Sequence, residues 1–481
     1  MNKENKVLNA TKWSSLTEIA AKLVTPISNM ILARLLTPDA FGVVATATMI
    51  FSFADMFTDS GFQKYLVQHE FANAQDREES TTVAFWTNLG LSLLFWIIIA
   101  LFSEQIAVLV GNPGLGNVIV VACISLPLTS FSSIQMALFR RDFDFKTLFY
   151  VRMVAVVIPL VVTVPLAFIT HSYWSIIIGT ICGNLSNAII LTWRSSWKPK
   201  LFYSITKLKE MLWFSVWSLI EAVSIWLTNY IGVFIVGAYL SSYYLGLYKT
   251  SMNTVNQIMN LITSATTTVL FSALSREQND RDSFQNTFFM FQRNVGLLIV
   301  PMGIGIFLYQ NLITKILLGS QWMEAAGFIG LWGLVNSLKI LLSNYCSEAY
   351  RATGKPKVSV LVQVSQLIVL IPAIIYGAKQ GFETLYLLRC MVSVELIVVN
   401  LFTVKIALKI SPIRMVQNIA PEIFAALIMA VVALGLKQIS DSIIWEIVSI
   451  AICACVYFAV ILLLPCTRKS FLPIIRKYLK K

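Results

Sequence analysis

The chain has 481 residues, of which 57% are hydrophobic and only 13% are charged, and its mean hydropathy is +0.74. This composition excludes a water-soluble globular protein and indicates an all-α polytopic membrane protein, because each segment in hydrocarbon must satisfy its own backbone hydrogen bonds. The net charge of +13 does not indicate a nucleic-acid partner, since the basic residues fall in alternate loops, as membrane topology requires.

Apolar runs of about 20 residues predict about fourteen transmembrane helices. They are expected near residues 13–36, 40–62, 81–103, 117–139, 147–168, 172–194, 210–237, 243–273, 285–309, 325–350, 356–378, 382–404, 419–436 and 443–465. Most of the 37 Lys and Arg residues lie in one alternating set of connections, whereas the opposite set holds only Arg34, Lys315, Lys379 and Lys437. The positive-inside rule therefore predicts that both termini face the cytoplasm.

The first two predicted helices each carry polar side chains at helical spacing. The first stripe consists of Glu18, Lys22, Thr25 and Asn29, and the second of Thr48, Ser52, Asp55 and Asp59. Since an ionisable group in hydrocarbon costs several kcal/mol, we expect both stripes to face a bundle interior or a wet cavity. Two adjacent helices with matched polar stripes predict the wall of a transport path.

The chain matches itself weakly at an offset of 204 residues. Trp13-Ser14 aligns with Trp217-Ser218, and Phe41-Gly42 aligns with Leu245-Gly246. An offset of six helices preserves orientation, so we expect a parallel repeat of two six-helix lobes around a central cavity. The predicted domains are an N-terminal lobe (1–200), a C-terminal lobe (201–411) and two extra helices with a basic cytoplasmic tail (412–481).

The repeat requires that helices seven and eight are also polar, and they are. Their stripes consist of Ser218, Glu221, Ser224 and Thr228, then Lys249, Asn253, Asn256, Asn260, Thr263 and Thr267. The candidates for binding a polar cargo in the cavity are Lys22, Asn29, Arg34, Glu221, Lys249, Asn253, Asn256, Asn260 and Lys339. The candidates for a gate or for binding a coupling ion are Glu18, Asp55, Asp59 and Glu221.

Each of these residue types also has a purely structural interpretation. Lys22 fits an ion pair with Glu18 one turn earlier as well as it fits an anion. The amides equally serve to join membrane helices. Trp217 and Trp226 suit stacking on sugars, but interface anchoring or packing against lipid is the commoner role. Arg152, Arg389 and Glu395 are expected to be intramembrane pairing groups.

Several short stretches carry a family resemblance. They are Lys12-Trp13-Ser14, Ala33-Arg34-Leu35-Leu36, Phe41-Gly42, Asp59-Ser60-Gly61-Phe62, FRRDFDFK at 139–146, LGLYKTSMNTVNQIM at 245–259, VLFSALSREQND at 269–280 and LLGSQWMEAAGFIGLWGL at 317–334. The chain thereby resembles bacterial polysaccharide flippases of the multidrug/oligosaccharidyl-lipid/polysaccharide exporter superfamily, in the Wzx-like branch that includes the colanic-acid exporter.

The resemblance implies a monomer in the bacterial inner membrane that moves an undecaprenyl-diphosphate-linked oligosaccharide from the cytoplasmic to the periplasmic leaflet. It implies no covalent chemistry, so no catalytic residue, metal site or cofactor is expected. The expected partners are that lipid, the surrounding membrane lipids, a coupling H⁺ or Na⁺, and the polysaccharide polymerase machinery. No nucleic acid is expected.

Three other functions stay open on the sequence. A cation-coupled drug or metabolite antiporter of the same superfamily should have a net acidic cavity, whereas these stripes mix Lys with Asp and Glu. A membrane glycosyltransferase or polymerase would need sizeable polar loops, but the longest here covers only residues 64–80. A scaffold without transport activity would have no use for buried charges in four helices, and each such charge costs free energy in the membrane.

Overall fold

The computed structural model describes Trp13, Thr17, residues 24–59 and residues 61–464, and within these ranges the chain is helical and contains no strand. The continuously described part of α1 covers residues 24–35. The helices that follow are α2 (Pro38–Asp59), α3 (Phe62–Gln68), α4 (Ala74–Leu101), α5 (Ser103–Leu109), α6 (Gly116–Ala122), α7 (Ser125–Arg141), α8 (Phe145–Thr170), α9 (Trp174–Arg194), α10 (Ile205–Tyr239), α11 (Ser242–Arg276), α12 (Arg281–Leu308), α13 (Gln310–Leu317), α14 (Ala326–Lys339), α15 (Tyr345–Ala352), α16 (Pro356–Gln380), α17 (Phe382–Leu408), α18 (Pro412–Lys437) and α19 (Ile443–Leu463). A 3₁₀ turn at Ser320–Ala325 precedes α14, and a π-helical turn at Ile340–Asn344 joins it to α15.

Twelve helices in the described ranges are long and apolar enough to cross a membrane. A thirteenth is formed if Ser242–Ser264 and Val269–Arg276, which meet at a bend of 43°, make one span. The all-α membrane fold is therefore confirmed. The count of about fourteen stays a prediction, since the first expected span, 13–36, lies partly outside the described residues.

Large apolar side chains point outward along these helices, as lipid contact requires. Phe168 is 68% exposed on α8, Leu361 is 67% exposed on α16, and Ile406 is 81% exposed on α17. Several helices are preceded by a capping residue whose side chain accepts a hydrogen bond from a backbone N–H of the first turn. This bond pairs an N–H group that would have no partner in hydrocarbon. These capping residues are Asn73, Asp144, Ser204, Asp280 and Ser411.

The chain divides into two compact units, Met1–Lys249 and Thr250–Lys481. In the first unit, α4 packs on α7, α7 on α9, and α8 on α9. In the second unit, α12 packs on α14, α14 on α17, and α16 on α17. The same order of helix pairs thus recurs in both units, in keeping with the predicted parallel repeat. The predicted domain boundaries and lobe symmetry themselves stay predictions.

Candidate functional site

The predicted residues of the first helix are described only in part. Glu18 and Lys22 lie outside the described residues. Asn29 is half-buried on α1, and Arg34 is exposed near the end of the same helix. Their predicted roles in binding a cargo stay predictions.

The second polar stripe lies on α2, where two of its side chains are held by neighbouring helices. The Thr129 hydroxyl on α7 donates to Asp55 Oδ1 at 3.1 Å. Ser52 accepts a hydrogen bond of 3.1 Å from the Trp226 indole N–H on α10. The helix includes Asp59, whose side chain lies outside the described part of the structure. Polar contacts therefore fix the middle of α2 against α7 and α10.

An aromatic run in the first unit leads from α2 to Lys249. The Trp226 ring lies 5.0 Å from Phe53 and is stacked on Tyr230 at 5.7 Å. The Lys249 ammonium lies 4.9 Å from the centre of the Tyr230 ring. Among the described residues no carboxylate forms an ion pair with Lys249. This half-buried cation therefore interacts with an aromatic ring and keeps its capacity to bind an anion.

The starts of α2 and α11 cross at very close range, which we call the glycine crossing (Pro38, Gly42, Ser242 and Gly246). A Cβ on Gly42 would overlap the backbone carbonyl of Ser242, and a Cβ on Gly246 would overlap that of Pro38. The Ser242 hydroxyl also hydrogen-bonds the Asp39 carboxylate. Pro38 and Ser242 are 204 residues apart, as are Gly42 and Gly246, so the contact is reciprocal at the predicted repeat offset. Only glycine allows two membrane helices to approach this closely.

Ion pairs at the edge of the first unit tie the start of α4 to its neighbours. Lys207 on α10 pairs with Asp76, and Arg77 pairs with Asp142 at 2.8 Å. The hydrogen bond that the Lys207 ammonium donates to the Asp76 carboxylate raises the pKa of Lys207. Because ion pairs that solvent still reaches contribute only about 1 kcal/mol each, these two position the helix ends more than they stabilise the unit.

The amides of α11 differ in their surroundings. Asn256 Oδ1 accepts from the Trp332 indole N–H at 3.3 Å and from Asn336 Nδ2 at 3.1 Å. Asn260 accepts from Thr263 on its own helix at 3.3 Å, and Asn253 is exposed. Asn256 therefore joins α11 to α14 through its oxygen, whereas Asn253 and Asn260 remain open at the helix surface.

Two cations of the second unit lie against one tryptophan. The Lys339 ammonium and the Arg389 guanidinium carbon each lie 4.9 Å from the Trp332 ring. Arg389 was expected to pair with an acid, but it forms no ion pair within the described ranges and donates instead to Ser393 Oγ at 3.3 Å. Glu395 likewise forms no ion pair there, and its Oε2 is buried without a hydrogen bond. Arg152 is exposed on α8.

Sequence reasoning missed a buried ion pair between α12 and α18. Arg293 Nε lies 3.5 Å from Glu422 Oε1, and the Glu422 side chain is fully buried. Arg293 Nε and Nη2 and both Glu422 oxygens lack hydrogen bonds, so charge alone joins the two groups. In the sequence, Arg293 and Glu422 each appear as a single charged residue within an apolar segment. Such an isolated charge does not show which residue it pairs with.

Removing the Glu422 charge should destabilise the protein strongly, because Arg293 would keep a buried charge without a partner. We expect Glu422→Gln to lower the free energy of unfolding by about 3 kcal/mol, seen as a lower Tm of the purified protein. Glu395→Gln is the matched control, since Glu395 has no ion pair to lose within the described ranges. Equal Tm values for the two variants would contradict this account.

An apolar cavity of about 480 Å³ opens in the second unit among α12, α13, α18 and α19. Pro301, Tyr309, Met429 and Tyr457 are among the residues that line it. Almost no polar surface faces this space, so it suits a hydrocarbon chain and not a sugar or an ion.

The helical fold resembles those of two solved membrane proteins. A lipid II flippase MurJ in an inward closed conformation superposes with a TM-score of 0.74 at 15% identity, over 93% of this chain and 98% of that one. An inward-facing multidrug resistance MATE transporter of the MOP superfamily gives a TM-score of 0.62 at 11% identity, over 83% of this chain and 98% of that one. At these identities the two likenesses establish the fold alone.

Sequence comparison identifies the family. A family model described as "Polysaccharide biosynthesis protein" matches residues 31–327, so the chain belongs to that family. Lipopolysaccharide biosynthesis protein WzxC of Escherichia coli K12 is 21% identical over 79% of this chain and 77% of its own length. Succinoglycan biosynthesis transport protein ExoT of Rhizobium meliloti is 24% identical over 77% of this chain and 74% of its own length. The resemblance to the Wzx-like branch is thus confirmed.

Proposed function

We propose that this protein moves an undecaprenyl-diphosphate-linked oligosaccharide from the cytoplasmic to the periplasmic leaflet of the bacterial inner membrane. The observation that carries the proposal is the half-buried Lys249 ammonium, which has no carboxylate partner in the described part of the chain. An unpaired cation in a membrane helix is costly unless it serves an anionic ligand. Membership of the polysaccharide biosynthesis family and the names of its relatives support the same cargo.

The cargo has three chemically distinct parts, and the chain offers a match for each. Lys22, Arg34, Lys249 and Lys339 would take the place of water around the diphosphate, since charge-assisted hydrogen bonds are the strongest available in such a site. The open amides of Asn29, Asn253 and Asn260 would bind sugar hydroxyls, with Asn256 completing the α11 stripe. The apolar cavity of the second unit would accept part of the polyprenyl tail.

Alternating access requires a closed and an open state at each membrane face. On the predicted topology the glycine crossing lies at the periplasmic ends of α2 and α11. It would seal that face while the cargo enters from the cytoplasm and separate when the cargo leaves. Glu18, Asp55, Asp59 and Glu221 would act at the cytoplasmic gate or bind the coupling ion.

A deletion strain tests the proposal. We expect loss of the surface polysaccharide and accumulation of its lipid-linked repeat unit, because synthesis continues while translocation stops. Mass spectrometry of the extracted lipid would identify the sugar, and a plasmid copy should restore the polymer. Unchanged polysaccharide together with increased drug sensitivity would overturn the proposal in favour of an antiporter.

A further inference from the structure

The long span Ser320–Ala352 is interrupted by the π-helical turn Ile340–Asn344, which separates α14 from α15. At the end of the turn the Tyr345 N–H donates to Ile340 O, five residues back, and not to Leu341 O, its partner in a regular α-helix. The turn therefore holds one residue more than an α-helix would. The Leu341 carbonyl is left without its usual backbone donor.

A side chain of another helix takes the place of that donor. Gln292 of α12 is fully buried, and its Nε2 donates to Leu341 O at 3.2 Å. Its oxygen accepts from Asn418 Nδ2 at 3.0 Å, and the same nitrogen donates to Phe289 O at 2.9 Å. Because Asn418 faces a backbone carbonyl, it must present its nitrogen there, and this fixes the Gln292 amide with its own nitrogen toward the turn. The pairing of Leu341 with Gln292 thus follows from the network.

Two further helices hold the turn in its present register. Asn400 of α17 is buried and donates through Nδ2 to Ser343 Oγ at 2.8 Å. The Tyr345 hydroxyl shares a hydrogen bond of 3.0 Å with the Thr266 hydroxyl of α11. Thr266 lies within the bend of α11, so the two irregular helices meet at this point. The turn depends on side chains of other helices, whereas a regular α-helix satisfies its own backbone.

We propose that the turn Ile340–Asn344 is a two-state joint in which the Leu341 carbonyl exchanges one donor for another. In the present state the donor is Gln292. In the second state the donor is the Tyr345 N–H, so α14 and α15 form one regular α-helix and each residue of α15 moves into the place of the next. This step is a rotation of about 100° and a shift of about 1.5 Å along the axis. The carbonyl is paired in both states, as hydrocarbon requires.

The segment beyond the turn can move as one piece. α15 has only eight residues, and its Glu348–Arg351 ion pair lies within the helix, so both charges move together. Gly354 in the following turn has φ +68°, and among the described residues no atom lies within 4 Å of an added Cβ, so this turn has room for the shift. On the predicted topology α15 ends at the cytoplasmic face. The inference rests on the proposed function only for the use of the movement, which is to open and close that face.

Cys346 reports the movement directly. It is fully buried in the present state and would move into the half-buried place of Ser347 in the second state. The purified protein in lipid nanodiscs would be treated with N-ethylmaleimide, and mass spectrometry of its peptides would give the modification rate of each cysteine. Cys390 of α17 is the internal reference, since it is also buried and lies outside the moving segment.

Removing the side-chain donor should favour the second state. We expect Gln292→Met, which keeps the length of the side chain, to raise the modification rate of Cys346 about ten-fold and to leave that of Cys390 unchanged. Asn418→Leu removes the support of the Gln292 amide and should raise the Cys346 rate in the same direction. Gln366→Met is the matched control, because Gln366 is a buried glutamine on α16 of the same unit. It should change neither rate.

Removal of Leu342 from the chain distinguishes a joint from a core that has merely loosened. Without this residue the Tyr345–Ile340 bond becomes an ordinary α-helical bond, so α15 keeps its present place in a regular helix. We expect Cys346 to stay protected in this variant, also in combination with Gln292→Met, because no change of register is left. If Gln292 only stabilised the core, Gln292→Met would expose Cys346 with and without Leu342. Gel filtration of each variant verifies that it is folded.

Two results would overturn the inference. One is an unchanged Cys346 rate in folded Gln292→Met and Asn418→Leu. The other is equal exposure of Cys346 in Gln292→Met with and without Leu342. Polysaccharide export is measured with the same variants, and we expect the variant without Leu342 to lose it. Normal export by that variant would overturn the role of the joint in transport and leave the proposed function standing, since the deletion strain tests that function separately.

Discussion

Replacing Gly42 with alanine is expected to reduce polysaccharide export by at least ten-fold while the protein still inserts into the membrane. The added Cβ would overlap the Ser242 carbonyl, so α2 and α11 would have to separate. Overpacking of this kind costs about 1–3 kcal/mol. If the glycine crossing closes the periplasmic face, the added methyl group destabilises the closed state by this free energy. Export by a complemented deletion strain measures the effect.

The reciprocal variant and a matched control make this result specific. Gly246→Ala would overlap the Pro38 carbonyl and should reduce export to a similar extent. Gly90→Ala on α4 introduces the same methyl group where no atom lies within 4 Å, and should export normally. Alanine favours helix by about 1 kcal/mol over glycine, so a weaker helix cannot explain a loss. Normal export by both crossing variants would remove the crossing from the mechanism.

Replacing Lys249 with alanine is expected to abolish export, or to lower it by more than ten-fold, without loss of membrane insertion. A hydrogen bond to a charged group contributes about 1.5–3 kcal/mol, and the diphosphate would lose at least one such bond. Lys249→Arg keeps the charge near Tyr230 and should retain part of the activity. Lys22→Ala should behave like Lys249→Ala if the two stripes serve the same anion.

The matched control for Lys249 is Lys209→Ala, since Lys209 is an exposed lysine of the same unit. It should export at the wild-type level. Protein in the membrane fraction would be quantified by immunoblot, so that expression and transport are separated. Normal export by both Lys22→Ala and Lys249→Ala would remove the cationic-cavity mechanism.

The helical fold could be predicted from the sequence because hydrocarbon permits so few alternatives. Continuous apolar runs and alternating basic loops were enough to predict a helical fold with many membrane spans, and the fold comparison confirms that fold. The offset of 204 residues singled out Phe41-Gly42 and Leu245-Gly246 as equivalents. It did not show that these glycines meet each other's helices, because a local pattern carries no information on which helices cross.

The chemistry of the candidate site was less accessible to sequence reasoning. Asn256 has the spacing of a sugar ligand, but its oxygen is occupied by Trp332 and Asn336, which are remote in sequence. Arg389 was predicted to be a pairing group because charges in membranes usually pair, and the structure gives it Ser393 and an indole ring instead. Glu422 and Arg293 gave no periodic signal at all. Residue pattern and composition could not predict which side chains, remote from each other in sequence, pair in the fold.

Reconstitution into proteoliposomes tests the central claim most directly. The purified protein would be inserted into vesicles that contain the lipid-linked oligosaccharide isolated from the deletion strain, and an impermeant reagent would report how much of it reaches the outer leaflet. We expect the wild type to accelerate this movement at least ten-fold over protein-free vesicles, and Lys249→Ala to lose most of the acceleration. Equal rates in vesicles with and without the wild-type protein would contradict the account.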